Sequence, residues 1–418
     1  MKRDQIGQFL LWLAVFLGPW QTRWIYSELT LAGEAWEYGR LGVYAVEILI
    51  VLAALALGRP QYDFCAKRVS GLGIMFLGLG FLSVSLAQNS FLATGAMLHL
   101  VSAVMLFLLL LDRRVAMAQI QLAFIGGLIL PSLLGWWQVL AGTSPGSTLL
   151  GLASHQASVL GQAVVETAQG DRILRAYGSF SHPNVLGGYL AMASLLTVWL
   201  INQTKQNRRF LGLALIFLTA TLVITFSRSA WLALILGGLA MSAGLIWRKK
   251  TIQPAVWKFG GSALLVMAVT MGIFSQAVFT RVQAQARLET QSIEERLAAY
   301  HPWPKVMQMN PLTGVGPGNY PLALAALTPD QPAWSYQPMH NAALLMMSEV
   351  GLLGLVMAGW WLLAFYRQIK LNQAWVLALA GGAAFIPLAL FDHYLWSSWS
   401  GLAILSIFLA FFLRTVRD

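Results

Sequence analysis

The chain has 418 residues, 58% of them hydrophobic and 10% charged, with a mean hydropathy of +0.66. A typical soluble domain carries about 25% charged residues, so this composition cannot clothe a water-facing fold, and the sequence reads as an all-α polytopic membrane protein. The single cysteine, Cys65, excludes an intramolecular disulfide framework, a CxxC redox pair and a thiolate zinc site. The net charge of +11 does not point to nucleic acid, because no basic run exceeds Arg248-Lys249-Lys250.

A helix that spans a bilayer needs about 20 mostly apolar residues. Such runs lie near 6–20, 40–58, 70–87, 92–111, 116–140, 185–201, 210–226, 229–247, 259–275, 340–366, 373–391 and 399–413. They predict about twelve transmembrane helices in a single membrane domain, 1–418. The first run opens with no small-residue cleavage site and is read as a retained span rather than a signal peptide. Gly71, Gly73, Gly78 and Gly80 suit close helix packing in lipid.

Charge tests this count. With the N-terminus cytoplasmic, the inner segments hold 18 of the 27 basic residues: Lys2, Arg3, Arg59, Lys67, Arg68, Arg113, Arg114, Lys205, Arg208, Arg209, Arg248, Lys249, Lys250, Lys258, Arg367, Lys370, Arg414 and Arg417. Only Arg23, Arg40, Arg172, Arg175, Arg228, Arg281, Arg287, Arg296 and Lys305 fall outside. Asp4, Asp63, Asp112 and Asp418 are the inner acids. Cytoplasmic loops carry an excess of Lys and Arg, so the alternation supports twelve spans with both termini inside.

Two connections are long, and both fall on the outer side: 142–184, with 43 residues, and 276–339, with 64. Long loops in compact proteins are usually functional or disordered. The aromatics, paired charges and prolines in these two predict ordered, partly helical structure. Residues 285–300 read as a short amphipathic helix with Leu288, Leu297 and Tyr300 available to its apolar side.

The unusual polar residues sit at this outer face. Arg175 to Asn184 (RAYGSFSHPN) leads directly into a span. Pro183 suits a first helical turn and Ser181 or His182 can cap it; equally, Arg175 and the helix N-terminus can hold an anion. Ser227-Arg228-Ser229 is pinched between two spans, where an arginine costs about 2.5–3.5 kcal/mol unless it snorkels to the interface. Arg296 is followed by Pro302-Trp303-Pro304 and the turn Asn310–Gly318, whose glycines suit turn geometry. His340-Asn341 stands at the mouth of a span that runs on through Glu349-Val350-Gly351. Asp392-His393 is on the same face and reads first as structural. Three arginines and an imidazole make a site for an anionic substrate and a general base. The candidates are His340, Arg296 and Arg228 for catalysis, and Arg175, His182, Asn184, Asn341 and Glu349 for substrate binding. The outer side carries no HExxH, no DxD and no carboxylate cluster at metal spacing, so no metal or cofactor is expected. No ATP motif is present, which leaves an activated substrate or a gradient as the source of energy.

These residues carry a resemblance. RAYGSFSHPNVLGGYLA, ITFSRSAWLAL, ERLAAYHPWPKVMQMNPLTGVGPGNY and HNAALLMMSEVGLLGL, in this order, resemble the O-antigen ligase and O-antigen polymerase-like family of bacterial membrane glycosyltransferases, over about 170–395. The resemblance implies a glycosyltransferase C-type architecture with two long outer loops, in the bacterial inner membrane. The implied donor is a glycan on undecaprenyl diphosphate, and the implied acceptor is a glycan or lipid hydroxyl at the periplasmic face. His340 matches the family's essential histidine in H-x10-G, closed here by Gly351. Arg228 matches the arginine of the Ser-Arg motif, Arg296 that of the membrane-proximal helix in the large loop, and Arg175 the Arg-x-x-Gly position. Ligases, polymerases, protein O-glycosylating enzymes and a group once proposed as bicarbonate transporters share these motifs. A polymerase of the same family is therefore one alternative and a solute transporter the other. The transporter predicts internal repeats and a midplane site, whereas Glu47 and Glu349 are the clear intramembrane ionisable residues here. The expected reaction is direct displacement at the first sugar's anomeric carbon, with arginines on the diphosphate and His340 on the incoming hydroxyl. Trp303, Tyr320, Trp334 and Tyr336 are candidates to stack on sugars or to anchor the interface.

Overall fold

A computed structural model describes residues 2–62, 64–167, 169–284, 286–369 and 373–414, with side-chain surroundings for these apart from 64–70, 72, 76, 79 and 373. Asp63, Lys370, Arg417 and Asp418, counted above as inner charges, lie outside the described residues, as does Gln285 at the head of the expected amphipathic helix. Cys65, Lys67 and Arg68 lie where only the backbone is described.

Helix fills most of each apolar run. The elements are α1 (Arg3–Leu17), α2 (Ala45–Leu57), α3 (Phe64–Ser85), α4 (Ser90–Leu110), α5 (Met117–Gly127) continued by α6 (Ile129–Ala141), α7 (Pro183–Gln203), α8 (Arg208–Ile224), α9 (Arg228–Trp247), α10 (Pro254–Ile273), α15 (Ala342–Gln368), α16 (Gln373–Leu390) and α18 (Trp399–Arg414); α17 (Tyr394–Ser397) and the helices of the larger loop, given below, belong to the connections. Among the described residues six are long and apolar enough to cross a membrane: α4, α5–α6, α7, α9, α10 and α15. The most apolar stretch of α7 is 94% buried and that of α10 only 11%. Helix α7 is therefore the centre of the bundle and α10 its rim, where Leu264, Leu265, Val269 and Ile273 lie exposed as lipid-facing side chains would. Gly187 and Gly188 let α7 serve as a hub. A Cβ at Gly187 would stand 2.8 Å from Ala230 of α9, and one at Gly188 would stand 2.0 Å from the Tyr394 hydroxyl.

Three expectations are corrected. The run at 40–58 is strand as far as Tyr44: Arg23–Leu31 (β1) and Glu34–Tyr44 (β2) form an antiparallel hairpin between α1 and α2. Its loop is the pair Ala32-Gly33, both at positive φ (+53° and +80°), as a type I′ turn requires. The run at 340–366 becomes helix only at Ala342, because Asn341 caps it, its Oδ1 accepting the Leu344 N–H at 3.1 Å. His340 thus precedes the helix. The connection 142–184 holds no helix among its described residues before Pro183. It carries short ladders, Thr143–Ser144 (β3) with His155–Gln156 (β4) and Val164–Glu166 (β5) with Arg172–Leu174 (β6).

The larger connection is helical, with α11 (Ser275–Gln283), α12 (Arg287–Ala298), α13 (Trp303–Met309), α14 (Tyr320–Leu327) and a 3₁₀ turn at Ala333–Ser335. Its glycine turn mends a break in α15. Gly351 sits at φ +69°, ψ −174°, a conformation open essentially to glycine alone. The backbone groups freed there pair with the turn: Val315 N–H to Ser348 O (2.9 Å), Gly316 N–H to Glu349 O (3.0 Å), Leu352 N–H to Pro311 O (3.0 Å) and Leu353 N–H to Leu312 O (3.1 Å). Irregular backbone beside apolar spans is tolerated only when its polar groups are satisfied within the protein, and here they are. The effect is to anchor the loop to α15 two turns below His340.

Candidate active site

The site grows from the α8–α9 corner. Thr225, Phe226 and Ser227 join the two helices directly, with Phe226 at φ +49°, sparsely populated for a non-glycine residue. The carbonyls this corner turns away from the helices are met by two arginines. Arg175 Nε donates to Thr225 O at 2.8 Å, and Arg281 Nε, from α11, donates to Phe226 O at 3.0 Å. Arg175 Nη2 also donates to Asn184 Oδ1 at 2.6 Å, and Arg281 Nη1 to both Glu289 oxygens at 2.6 and 2.7 Å. Arg228, the first residue of α9, is held more loosely. Its Nη1 lies 3.4 Å from Arg281 O and its Nη2 3.4 Å from Glu289 Oε2, and the side chain is 28% exposed.

The second half is built on the start of α7. His182 Nδ1 accepts the Asn184 N–H at 3.1 Å, with Pro183 in the first turn, so the capping expectation holds. Asn184 Nδ2 donates to Asp392 Oδ2 at 2.7 Å. The Asp392 carbonyl accepts the Ala342 N–H at 3.1 Å, and its Oδ1 accepts the His393 N–H at 2.8 Å. A continuous path of hydrogen bonds thus fixes α15 and the residue before it: corner, Arg175, Asn184, Asp392, then the α15 entry. The His340 ring stands edge-on to that of His393 with centroids 5.2 Å apart, and Tyr38 of β2 packs edge-on to His393 at 6.1 Å.

Electrostatics separates the members. Burial pushes the His340 imidazole down to about 4; the neighbouring His393 and the Arg296 cation add to this, against the opposing pull of Asp392. Burial likewise lowers His182 and His393. All three rings are neutral near pH 7. Burial alone would raise Asp392, but the surrounding imidazoles and the Asn184 amide hold it below the usual carboxylate range. Arg296, on α12, lies within electrostatic reach of Asp392, Arg281 and Glu289. Burial lowers its pKa, yet a guanidinium stays protonated. Neither His340 nor Arg296 makes a hydrogen bond or ion pair among the described residues.

The structure therefore gathers Arg175, His182, Asn184, Arg228, Arg296 and His340. Asn341 adjoins them with its side chain committed to the cap. Glu349 does not join them: its carboxylate, 3% exposed as a residue, accepts the Trp396 Nε1–H at 2.8 Å and the Tyr320 N–H at 3.4 Å, under the broken part of α15. Its position is that of a brace, not of a ligand to a substrate. Tyr320 and Tyr336 are buried, and the Tyr336 hydroxyl donates to Thr328 O at 2.6 Å, while Trp334 is 69% exposed and free to stack. Of the residues expected on the apolar side of α12, Leu288 packs against the cluster of Val164, Leu174 and Tyr177. Leu297 is 61% exposed and the buried residue is Glu289.

Sequence reasoning missed Arg281, Glu289 and Tyr38 as site residues and took Asp392-His393 as structural. Arg281 and Glu289 belong to different helices, so no helical spacing joins them. Tyr38 depends on a hairpin whose only sharp signal is its Ala32-Gly33 turn.

Residues 213–359 match the family described as O-antigen ligase. The similarity to that family covers about a third of the chain. No curated protein matches the chain. The ligase-like segment contains Arg228, Arg281, Glu289, Arg296, His340 and Gly351, and the rest of the gathered site is supplied from outside it: Arg175, His182 and Asn184 before, Asp392 and His393 after. The matched segment includes helices apolar enough to cross a membrane, α9, α10 and the first part of α15.

Proposed function

We propose that this ligase-like protein transfers a glycan from an undecaprenyl-diphosphate carrier to an acceptor hydroxyl, at the periplasmic face of the bacterial inner membrane, in a single twelve-span domain with both termini cytoplasmic. The observation that carries this reading is the pairing of an unpartnered cation with an unpartnered neutral base: Arg296 lies within electrostatic reach of His340, and Arg228 is only loosely held on Glu289 of the same helix as Arg296.

In the reaction the acceptor oxygen attacks the anomeric carbon as the bond from that carbon to the diphosphate oxygen breaks. The acceptor proton passes to the free imidazole of His340. The electron pair leaves with the undecaprenyl diphosphate, whose added negative charge is met by Arg228 and Arg296. Fixed cations in a water-poor site stabilise such charge without reorganising. Arg175, Asn184 and Asp392 position the histidine end of the site rather than touch the donor. The donor is itself activated, so nothing in this scheme calls on a nucleotide or a metal.

The test is reconstitution in liposomes with a purified lipid-linked oligosaccharide donor and a panel of lipid A–core and glycan acceptors. The reading predicts that glycosylated acceptor and undecaprenyl diphosphate appear in equal amounts, unchanged by EDTA. Proteoliposomes that take up bicarbonate while no acceptor in the panel is glycosylated would replace it with the transporter. Ladders of growing chain length, in place of a single addition, would favour the polymerase.

A further inference from the structure

Glu289 has no role in the scheme above, yet it is the one fully buried residue of α12, on the face it shares with partly buried Leu288, Ile293 and Arg296. Both its oxygens sit on Arg281 Nη1, at 2.6 and 2.7 Å, and Oε2 reaches Arg228 Nη2 at 3.4 Å. Two guanidinium groups converging on the oxygens of one small anion is the arrangement that phosphate groups also take. Glu289 and Arg296 are seven residues apart on the same helix, so they share a face about 10 Å apart along the axis. One end of α12 therefore offers the site a carboxylate already seated on arginines, and the other a cation without a partner.

We propose that Glu289 is an internal stand-in for the substrate's diphosphate, occupying Arg281 and Arg228 until the incoming diphosphate displaces it. The proposal rests on the donor assignment above and adds Arg281 to the groups that receive the anion. A carboxylate in this place keeps the buried charge of Arg281 compensated while the site is empty, since an unpaired buried cation is strongly destabilising. It also sets a threshold: an anion with a single weak charge does not displace a chelating carboxylate, whereas a diphosphate brings more charge and more acceptor oxygens. The site thus favours diphosphate-linked donors over monophosphate ones.

The alternative role for Glu289 is positioning, in which it holds Arg281 and Arg228 in place for the donor. The two roles predict opposite signs. Binding of inorganic diphosphate to the detergent-purified protein and of undecaprenyl diphosphate to the protein in nanodiscs is measured for the unchanged chain, Glu289→Gln, Glu289→Asp and Arg296→Ala. A displaced stand-in predicts that Glu289→Gln binds both forms about tenfold or more tightly, because a charge-assisted contact no longer has to be broken. Glu289→Asp, which keeps the charge that stabilises Arg281 but has a shorter reach, should fall between it and the unchanged chain, and it covers the case in which Glu289→Gln does not fold. Equal or weaker binding by the folded variants overturns the proposal. Tightening with the lipid form alone does so too, because Glu289 would then compete with the tail and not the diphosphate. If the unchanged chain binds neither form, the donor assignment itself falls. If it binds both and Arg296→Ala weakens them, the donor assignment stands and Glu289 is judged separately.

Discussion

His340 is held neutral by its surroundings rather than by chance of pH. With its imidazole pushed down to about 4, the base form predominates from neutral pH to about pH 5. Transfer should therefore stay flat over that range and fall below it with an apparent pKa near 4; a fall centred near 6.5, the ordinary value for histidine, would contradict the assignment. Stability follows the same sign. His182, His340 and His393 all bind protons less readily folded than unfolded, so lowering the pH from about 6.5 towards 4 should progressively destabilise the protein, as a declining melting temperature in detergent would show. At this scale the sequence was informative where one residue is chemically unusual for its setting. Arg175, Arg228, Arg296 and His340 stand out because charged or titratable groups are costly beside apolar spans. Glu289 does not stand out. In a polar stretch with Glu294 and Glu295 it is one acid of several, and only the folding of α12 against α11 places it on Arg281.

Elements position these residues through two devices, each open to test. The first is the break in α15. A Cβ at Gly351 would stand 2.2 Å from Leu312 O, at a φ of +69°. Gly351→Ala should thus cost about 2–4 kcal/mol, combining strain and overpacking, and should lower the melting temperature, whereas Gly359→Ala on the same helix, with nothing within 4 Å, should be neutral. The second is the β1–β2 hairpin. Trp36 Nε1–H donates to Tyr336 O at 3.1 Å and the Ala333 N–H donates to Glu34 Oε2 at 3.2 Å, which ties the hairpin to the segment just before His340. Trp36→Phe keeps an aromatic ring but removes the indole N–H and some buried volume, at a cost of at least about 1 kcal/mol. It should reduce transfer severalfold without altering expression, and unchanged transfer would show that the hairpin does not help place His340. Apolar runs of helical length were readable in the sequence because lipid-compatible helices need length and little else. The hairpin was not, because its apolar second strand merges with the start of α2 and reads as one run. The break in α15 was hidden for a similar reason, since a single glycine in a membrane helix usually marks packing.

Across the whole molecule, one arrangement explains why the site draws on residues from both halves of the chain. The central helix α7 begins at Pro183 and packs against α9 and α16, so the entry of α15, the corner before α9 and the Asp392 turn after α16 meet at its N-terminal end. The charge pattern predicts that this end faces outward. In a Cys65→Ser background, a cysteine at Leu160, which is 80% exposed, should react with an impermeant maleimide from the periplasmic side. A cysteine at exposed Gln206 should react only after the membrane is opened, and the reverse pattern would place the site on the wrong face for the proposed donor. The central claim is that a neutral base and an unpaired guanidinium act together on a lipid-diphosphate donor. Its most direct test is the rate of glycan transfer from purified undecaprenyl-diphosphate-linked donor by folded His340→Ala and Arg296→Lys. The account predicts that each falls by about 100-fold or more, because Lys cannot reproduce the forked contacts of Arg; transfer at the unchanged rate in both would contradict it.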